Sequence, residues 1–144
     1  MAQPAPYPEN EVQRLETLSA YQVLDTIPEL AFDDLTFLAG TICQTPIVLI
    51  SLLDDQRQWC KSKVGISARE SSRDVAFCPH GILQSDVMVV FDAINDIRFA
   101  DNPLVTQEPY HQFYAGAPLK TPEGHNLGTL CVIDRVPRNS LKIR

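Results

Sequence analysis

Residues 46–59 read Pro46-Ile47-Val48-Leu49-Ile50-Ser51-Leu52-Leu53-Asp54-Asp55-Gln56-Arg57-Gln58-Trp59. A run of β-branched and aliphatic side chains, five polar residues and then an aromatic is the pattern of a buried strand, a tight turn and a returning strand. The seven-residue run from Ile47 to Leu53 is far too short to cross a bilayer. Further along, Phe113–Leu119 and Leu127–Asp134 read as two more strands, with Pro122 and Gly124 between them as a hairpin turn requires. Val87–Phe91 reads as another strand. Strands joined by hairpins pair antiparallel.

Helical periodicity lies upstream. Val12, Leu15 and Leu18 recur at helical spacing behind Asn10, a residue suited to an N-cap. Pro28 interrupts. Phe32, Leu35, Leu38, Ala39 and Ile42 then form a second stripe that should end near Gln44, ahead of Pro46. A short helix over His80–Gln84 follows Pro79. Residues 63–74 read as a charged, Ser-rich loop, and 92–103 as a polar connection with turn signals at Asn95-Asp96 and Asp101-Asn102-Pro103. The expected fold is α+β: a central antiparallel β-sheet of five to six strands flanked by helices. Residues 1–9, with three prolines, read as a flexible N-terminal arm before one domain at 10–144.

Composition bounds the function. The 144 residues carry a net charge of −6 with scattered Lys and Arg, which argues against nucleic-acid binding. The N-terminus has neither a basic start nor an apolar stretch, so the expected location is cytoplasmic, without membrane insertion. Cys43, Cys60, Cys78 and Cys131 are separated by 17, 18 and 53 residues, with no C-x-x-C pair. Buried free thiols are therefore expected, and no metal site.

The blocks Leu24-Asp-Thr-Ile-Pro-Glu, Phe32-Asp-Asp-Leu, Pro46-Ile-Val-Leu-Ile-Ser-Leu-Leu-Asp, Arg57-Gln-Trp, Phe77-Cys-Pro-His-Gly-Ile-Leu and Asp92-Ala follow one another in order. Arg98-Phe-Ala-Asp-Asn-Pro, Phe113-Tyr-Ala-Gly-Ala-Pro-Leu and Gly124-His-Asn-Leu-Gly-Thr-Leu-Cys-Val-Ile-Asp-Arg complete the set. Together they resemble GAF domains of the kind found on the N-terminal side of bacterial sensor histidine kinases and diguanylate cyclases. The resemblance implies a GAF/PAS-like sheet with a pocket on one face, roofed by the mid-chain helix and loops. It also implies a regulatory module and not an enzyme, working in signal transduction (two-component systems among them) with an output signalling domain or with itself as a homodimer. The family normally runs on into a C-terminal helix, which this chain is expected to lack.

Eight residues stand out as candidates for a small-molecule site: Cys78, His80, Arg98, Phe99, Asn102, Tyr110, Phe113 and Tyr114. Cys78 with His80 has the composition of a thiol and its base, and a cysteine-based GAF enzyme exists in the free-methionine sulfoxide reductase. The plainer reading packs Cys78 under the roof and gives His80 a backbone hydrogen bond. Arg98 and Asn102 either hold an anion at a pocket mouth or fasten a loop through Asp96 and Asp101. Strand alternation sends Phe113 and Tyr114 to opposite faces. His111 and His125 lie in or beside turns and read as solvated. Gly116 and Gly128, inside strands, mark bulges or close backbone approach.

No resident cofactor is expected. Bilin-binding relatives attach their chromophore through a cysteine where this chain has Gln107-Glu-Pro-Tyr-His-Gln-Phe, so covalent bilin is not expected. The cyclic-nucleotide signature of other relatives is echoed only by Asn95, Phe99 and Asp101. Three functions remain open at this point: a sensor of an unidentified small effector, a ligand-free dimerisation module, and a thiol-dependent enzyme using Cys78.

Overall fold

The computed structural model describes residues 3–139. The decisive hairpin forms as expected: β1 (Ile47–Leu53) pairs antiparallel with β2 (Arg57–Val64). All seven residues of β1 are buried, because both faces of this central strand are covered. Downstream lie β3 (Glu70–Ser72), β4 (Met88–Val90), β5 (Phe113–Lys120) and β6 (Asn126–Asp134). The six strands form one antiparallel sheet in the order β3-β2-β1-β6-β5-β4. The helices are α1 (Glu11–Tyr21), α2 (Leu30–Cys43), α3 (Cys78–Gly81) and α4 (Pro103–Thr106), with a 3₁₀ turn at Ala93–Asn95. Fold class and strand number are as the sequence predicts.

The sheet has two covered faces. On the first, α2 lies over β1, β2 and β6, and Val48, Phe113, Ala115 and Val132 form the core beneath it. Leu18 of α1 packs there with Leu52, Trp59 and Leu127. On the second, the mid-chain segment folds across Ile47, Leu49, Cys60, Tyr114, Cys131 and Ile133. Gly128 allows β6 to press against β1: a Cβ there would sit 1.8 Å from the Ser51 carbonyl oxygen. Gly116 leaves room for the Tyr114 ring, which lies on the same face two residues away.

Several local expectations are corrected. Asn10 stands at the start of α1, but its side chain makes no cap bond. The α2 stripe has the right period and a rotated phase. Thr36, Ala39, Gly40 and Cys43 meet the sheet, while Leu35 and Leu38 are about half exposed, at 50% and 53%. Small residues win the inner face because helix and strand come close: a Cβ on Gly40 would lie 2.9 Å from Val48. The loop read at 63–74 contains β3, an edge strand whose pairing with Arg57–Trp59 its own polar residues do not announce. The helix read at His80–Gln84 lies instead at Cys78–Gly81, and the strand read at Val87–Phe91 shortens to Met88–Val90.

A bulge in β2 interrupts its pairing with β1. Ser51 pairs with Cys60 and Ile50 with Ser62, which leaves Lys61 as the extra residue. Its fully buried side chain is thereby aimed at the α1–α2 connection. There it donates to Thr26 Oγ1 (2.7 Å) and the Ile27 carbonyl (2.6 Å) and pairs with Glu29 (2.7 Å). Within the N-terminal arm, Tyr7 donates to the Asp55 carbonyl at 3.0 Å, and the Arg73 guanidinium lies over its ring. Whether a C-terminal helix is lacking concerns residues beyond Asn139, outside the described residues.

Candidate functional site

Pro79 occupies the first turn of α3, where a missing N–H costs nothing, and the short helix carries the roof across the second face. Phe77, just before it, stacks on Phe99 with centroids 4.0 Å apart and planes 9° apart. Tyr114 lies 5.2 Å from Phe77, and His80 meets the face of Phe99 edge-on at 4.8 Å. Met88, Val90 and Val105 close the cluster. The middle of the roofed face is thus filled by aromatic side chains.

Five of the eight candidate residues come together here as buried groups: Cys78, His80, Phe99, Asn102 and Tyr114. His80 Nε2 pairs with the Gln3 carbonyl at 3.0 Å, and burial lowers the pKa of its ring. Asn102 caps α4 by accepting from the Leu104 N–H at 2.9 Å, and donates to the Val75 carbonyl at 2.7 Å. Tyr114 Oη lies 3.2 Å from Thr129 Oγ1. Arg98 is at the edge, holding Asp96 through two hydrogen bonds of 2.7 and 3.0 Å, which is the loop-fastening arrangement. Phe113 is on the opposite face of the sheet, as alternation requires, and Tyr110 is exposed.

Open space lies beside this cluster. A cavity of about 360 Å³ runs between the β2–β3 edge, the 65–71 segment and the 104–111 segment. Leu49, Cys60, Ile66, Leu104 and Pro109 supply apolar walls; Gln58, Ser71, His111 and Arg135 supply polar ones. None of the eight candidates lines it. His111 corrects the reading of a solvated histidine: it is 5% exposed, and its backbone N–H is tied to the Leu104 carbonyl at 2.7 Å. Its Nδ1 is sealed from solvent with no hydrogen-bond partner among the described residues, and burial, reinforced by Arg135, lowers the pKa of the ring to about 4. Its place in or beside a turn of the sequence suggested a solvated side chain. The signal overlooked was the apolar neighbourhood that Leu104 and Val105 bring to it.

The family model of the GAF domain matches residues 28–142. The chain belongs to the GAF domain family. A cyclic di-GMP phosphodiesterase of Pseudomonas aeruginosa is 47% identical over all 144 residues, and this chain spans 24% of that relative's length. Among solved structures, the GAF domain of an Acinetobacter phosphoenolpyruvate-protein phosphotransferase superposes with a TM-score of 0.60 at 14% identity, over 91% of this chain and 80% of that one. The free methionine-R-sulfoxide reductase of Neisseria meningitidis, in complex with its substrate, gives 0.61 at 12% identity, over 96% and 83%. At these identities the two structures establish the shared fold.

In this GAF domain Cys78 has the surroundings of a packing residue. It lies among Leu53 and Ile82, and burial pushes its thiol up to about 12. The thiolate is the nucleophile, and burial of this kind disfavours it. In native protein at pH 7, iodoacetamide is expected to modify half-buried Cys43 first and to leave Cys78 unmodified until the chain unfolds. Peptide mass spectrometry reads this directly, and rapid native labelling of Cys78 would reinstate the thiol-enzyme alternative. No helix among the described residues is long and apolar enough to cross a membrane.

Proposed function

We propose that this GAF domain is the sensory part of a larger cytoplasmic signalling protein, with its small effector held in the cavity beside His111. The observation that carries the reading is an open, mostly apolar space of about 360 Å³ lined by the nearly buried polar side chains of Gln58 and His111. Effector pockets have this character. The 47% identity to part of a cyclic di-GMP phosphodiesterase supports an output module concerned with cyclic dinucleotides over a histidine kinase.

A route out of the cavity exists in β2. Gln58 and Cys60 line the cavity, while Arg57 and Lys61 of the same strand clasp the α1–α2 connection. Arg57 holds Asp25 through contacts of 2.6 and 2.9 Å, and Lys61 holds Thr26, Ile27 and Glu29. An effector that favours one arrangement of β2 and β3 would shift that connection, provided it binds the two states unequally.

A thermal-shift screen of small metabolites against wild type and Ser71→Phe tests this. Ser71 is on β3 beside the cavity, and a phenylalanine suits a strand while occupying the space. A compound at a hundredfold excess over its Kd stabilises by about 2.7 kcal/mol, a rise of roughly 5–10 °C for a domain of this size. That rise is expected in wild type and absent in Ser71→Phe. Equal stabilisation of both proteins would remove the cavity from the mechanism.

The outward stripe of Leu35, Leu38 and half-buried Ile42 favours a second, compatible reading: α2 pairs with a second copy. These residues repeat at three- and four-residue spacing, as a helical seam does. Sedimentation is expected to show a dimer that Leu35→Glu with Leu38→Glu converts to monomer. A wild type that stays monomeric at every concentration would sink it.

A further inference from the structure

We infer that the His111 cavity selects an uncharged ligand with a planar amide-type edge, a hydrogen-bond donor beside an acceptor, over carboxylates and organic cations. The inference rests on the cavity being the effector site and adds the chemistry of what enters.

Two polar side chains are held there without partners. Gln58 is 9% exposed, and its amide makes no hydrogen bond among the described residues. Its direction follows from register: Gln58 faces the same side of the sheet as Cys60, opposite Leu53 on β1 and Ser71 on β3. His111, 5% exposed, lines the cavity with its Nδ1 sealed, so Nε2 is the ring nitrogen left for an occupant. His111 Nδ1 is sealed, whereas the Gln58 amide and His111 Nε2 stay accessible, so an occupant would exchange their water for its own donor and acceptor and gain the apolar contact of Leu49, Ile66 and Leu104.

Neither interior group carries charge. A carboxamide is neutral, and burial keeps the His111 imidazole unprotonated near pH 7. The charged residues of the lining stand at the rim. Glu70 is engaged by Arg57 at 2.7 Å, exposed Arg135 donates to the Gly65 carbonyl at 3.2 Å, and Glu108 is exposed. An anion drawn inside would give up water and find, among the lining cations, only exposed Arg135, already bonded to the Gly65 carbonyl, and a cation would find only the exposed carboxylates of Glu70 and Glu108. A primary amide, a lactam or a neutral heterocycle presents the donor–acceptor pair that the Gln58 amide can match with two parallel hydrogen bonds.

Benzamide, benzoate and benzamidine share one ring and differ in head-group charge, so they form a direct test on the 144-residue chain. NMR titration would follow the Gln58 side-chain amide and the His111 ring. Benzamide is expected to shift both, with an affinity at least tenfold above either charged analogue. Gln58→Leu should lose at least tenfold in benzamide affinity. Gln58→Glu, which keeps the shape and adds a charge, should reverse the order in favour of benzamidine. Benzoate or benzamidine binding as tightly as benzamide to wild type, at the same signals, would overturn the ligand class while leaving the cavity as the effector site. If none of the three moves Gln58 or His111 at saturating millimolar concentration, the inference fails, and the Ser71→Phe screen separately decides whether the cavity reading fails with it.

Discussion

Replacing Phe99 with alanine is expected to destabilise the domain by about 3–5 kcal/mol, the range for deleting a fully buried aromatic ring. Phe99 has no exposed surface, stacks on Phe77 at 4.0 Å and takes the edge of His80 at 4.8 Å. Its backbone is pinned on both sides, donating to Asp96 at 2.9 Å and accepting from Asn102 at 2.9 Å, so the surroundings are poorly placed to collapse into the space. The loss should appear as a lower urea midpoint with an unchanged slope. Tyr110→Ala is the contrast. Its ring is half exposed, and the change should stay within about 0.5 kcal/mol.

Glu11→Ala should be comparably severe for an electrostatic reason. Glu11 lies between Arg14, 1% exposed, and Arg73, 5% exposed, contacting them at 2.9 and 2.7 Å. Both guanidinium groups also donate to carbonyls at the β1–β2 turn, Arg14 to Leu53 at 2.8 Å and Arg73 to Asp54 at 3.0 Å. Removing the shared carboxylate leaves two buried cations uncompensated, a change that costs about 3–5 kcal/mol in buried pairs. Acid should act in the same direction. Burial raises the Glu11 pKa, but the hydrogen bonds and charges of Arg14 and Arg73 outweigh it and hold the carboxyl below 4.5. A carboxyl depressed in the folded state adds stability that is present above the unfolded value and is lost as pH falls through the folded one. Urea midpoints measured below pH 4.5 should therefore fall more steeply for wild type than for Glu11→Gln.

The hairpins were legible because their signals are local: an aliphatic run closed by polar residues at 47–59, and a Pro–Gly turn between two such runs at 113–134. The resemblance placed the mid-chain roof correctly for the same reason. What escaped depended on contacts between distant segments. The inner face of α2 goes to Ala39 and Gly40 because Val48 comes close, a fact about the sheet and not about the helix. Arg14 is buried because Glu11 and the Leu53 carbonyl surround it, a setting that helical periodicity does not announce.

The candidate site shows the same division. Cys78, His80, Phe99 and Tyr114 were chosen for what their side chains can do, and they do converge, yet they converge as packing. The cavity depends on β3 returning against β2 and on the 104–111 segment folding toward it. Neither event is written in the Ser-rich stretch 65–71 by itself, which is why Gln58 and His111 were passed over.

The central claim is that an effector enters beside the aromatic cluster and leaves that cluster intact. NMR chemical-shift mapping with the most stabilising compound from the metabolite screen tests it most directly. The account predicts perturbations centred on Gln58, Ile66, Ser71, Leu104 and His111, with Phe77, His80, Phe99 and Tyr114 nearly unmoved. Perturbations centred on those four aromatic residues, with Gln58 and His111 silent, would mean the roof opens to admit the ligand and would contradict it.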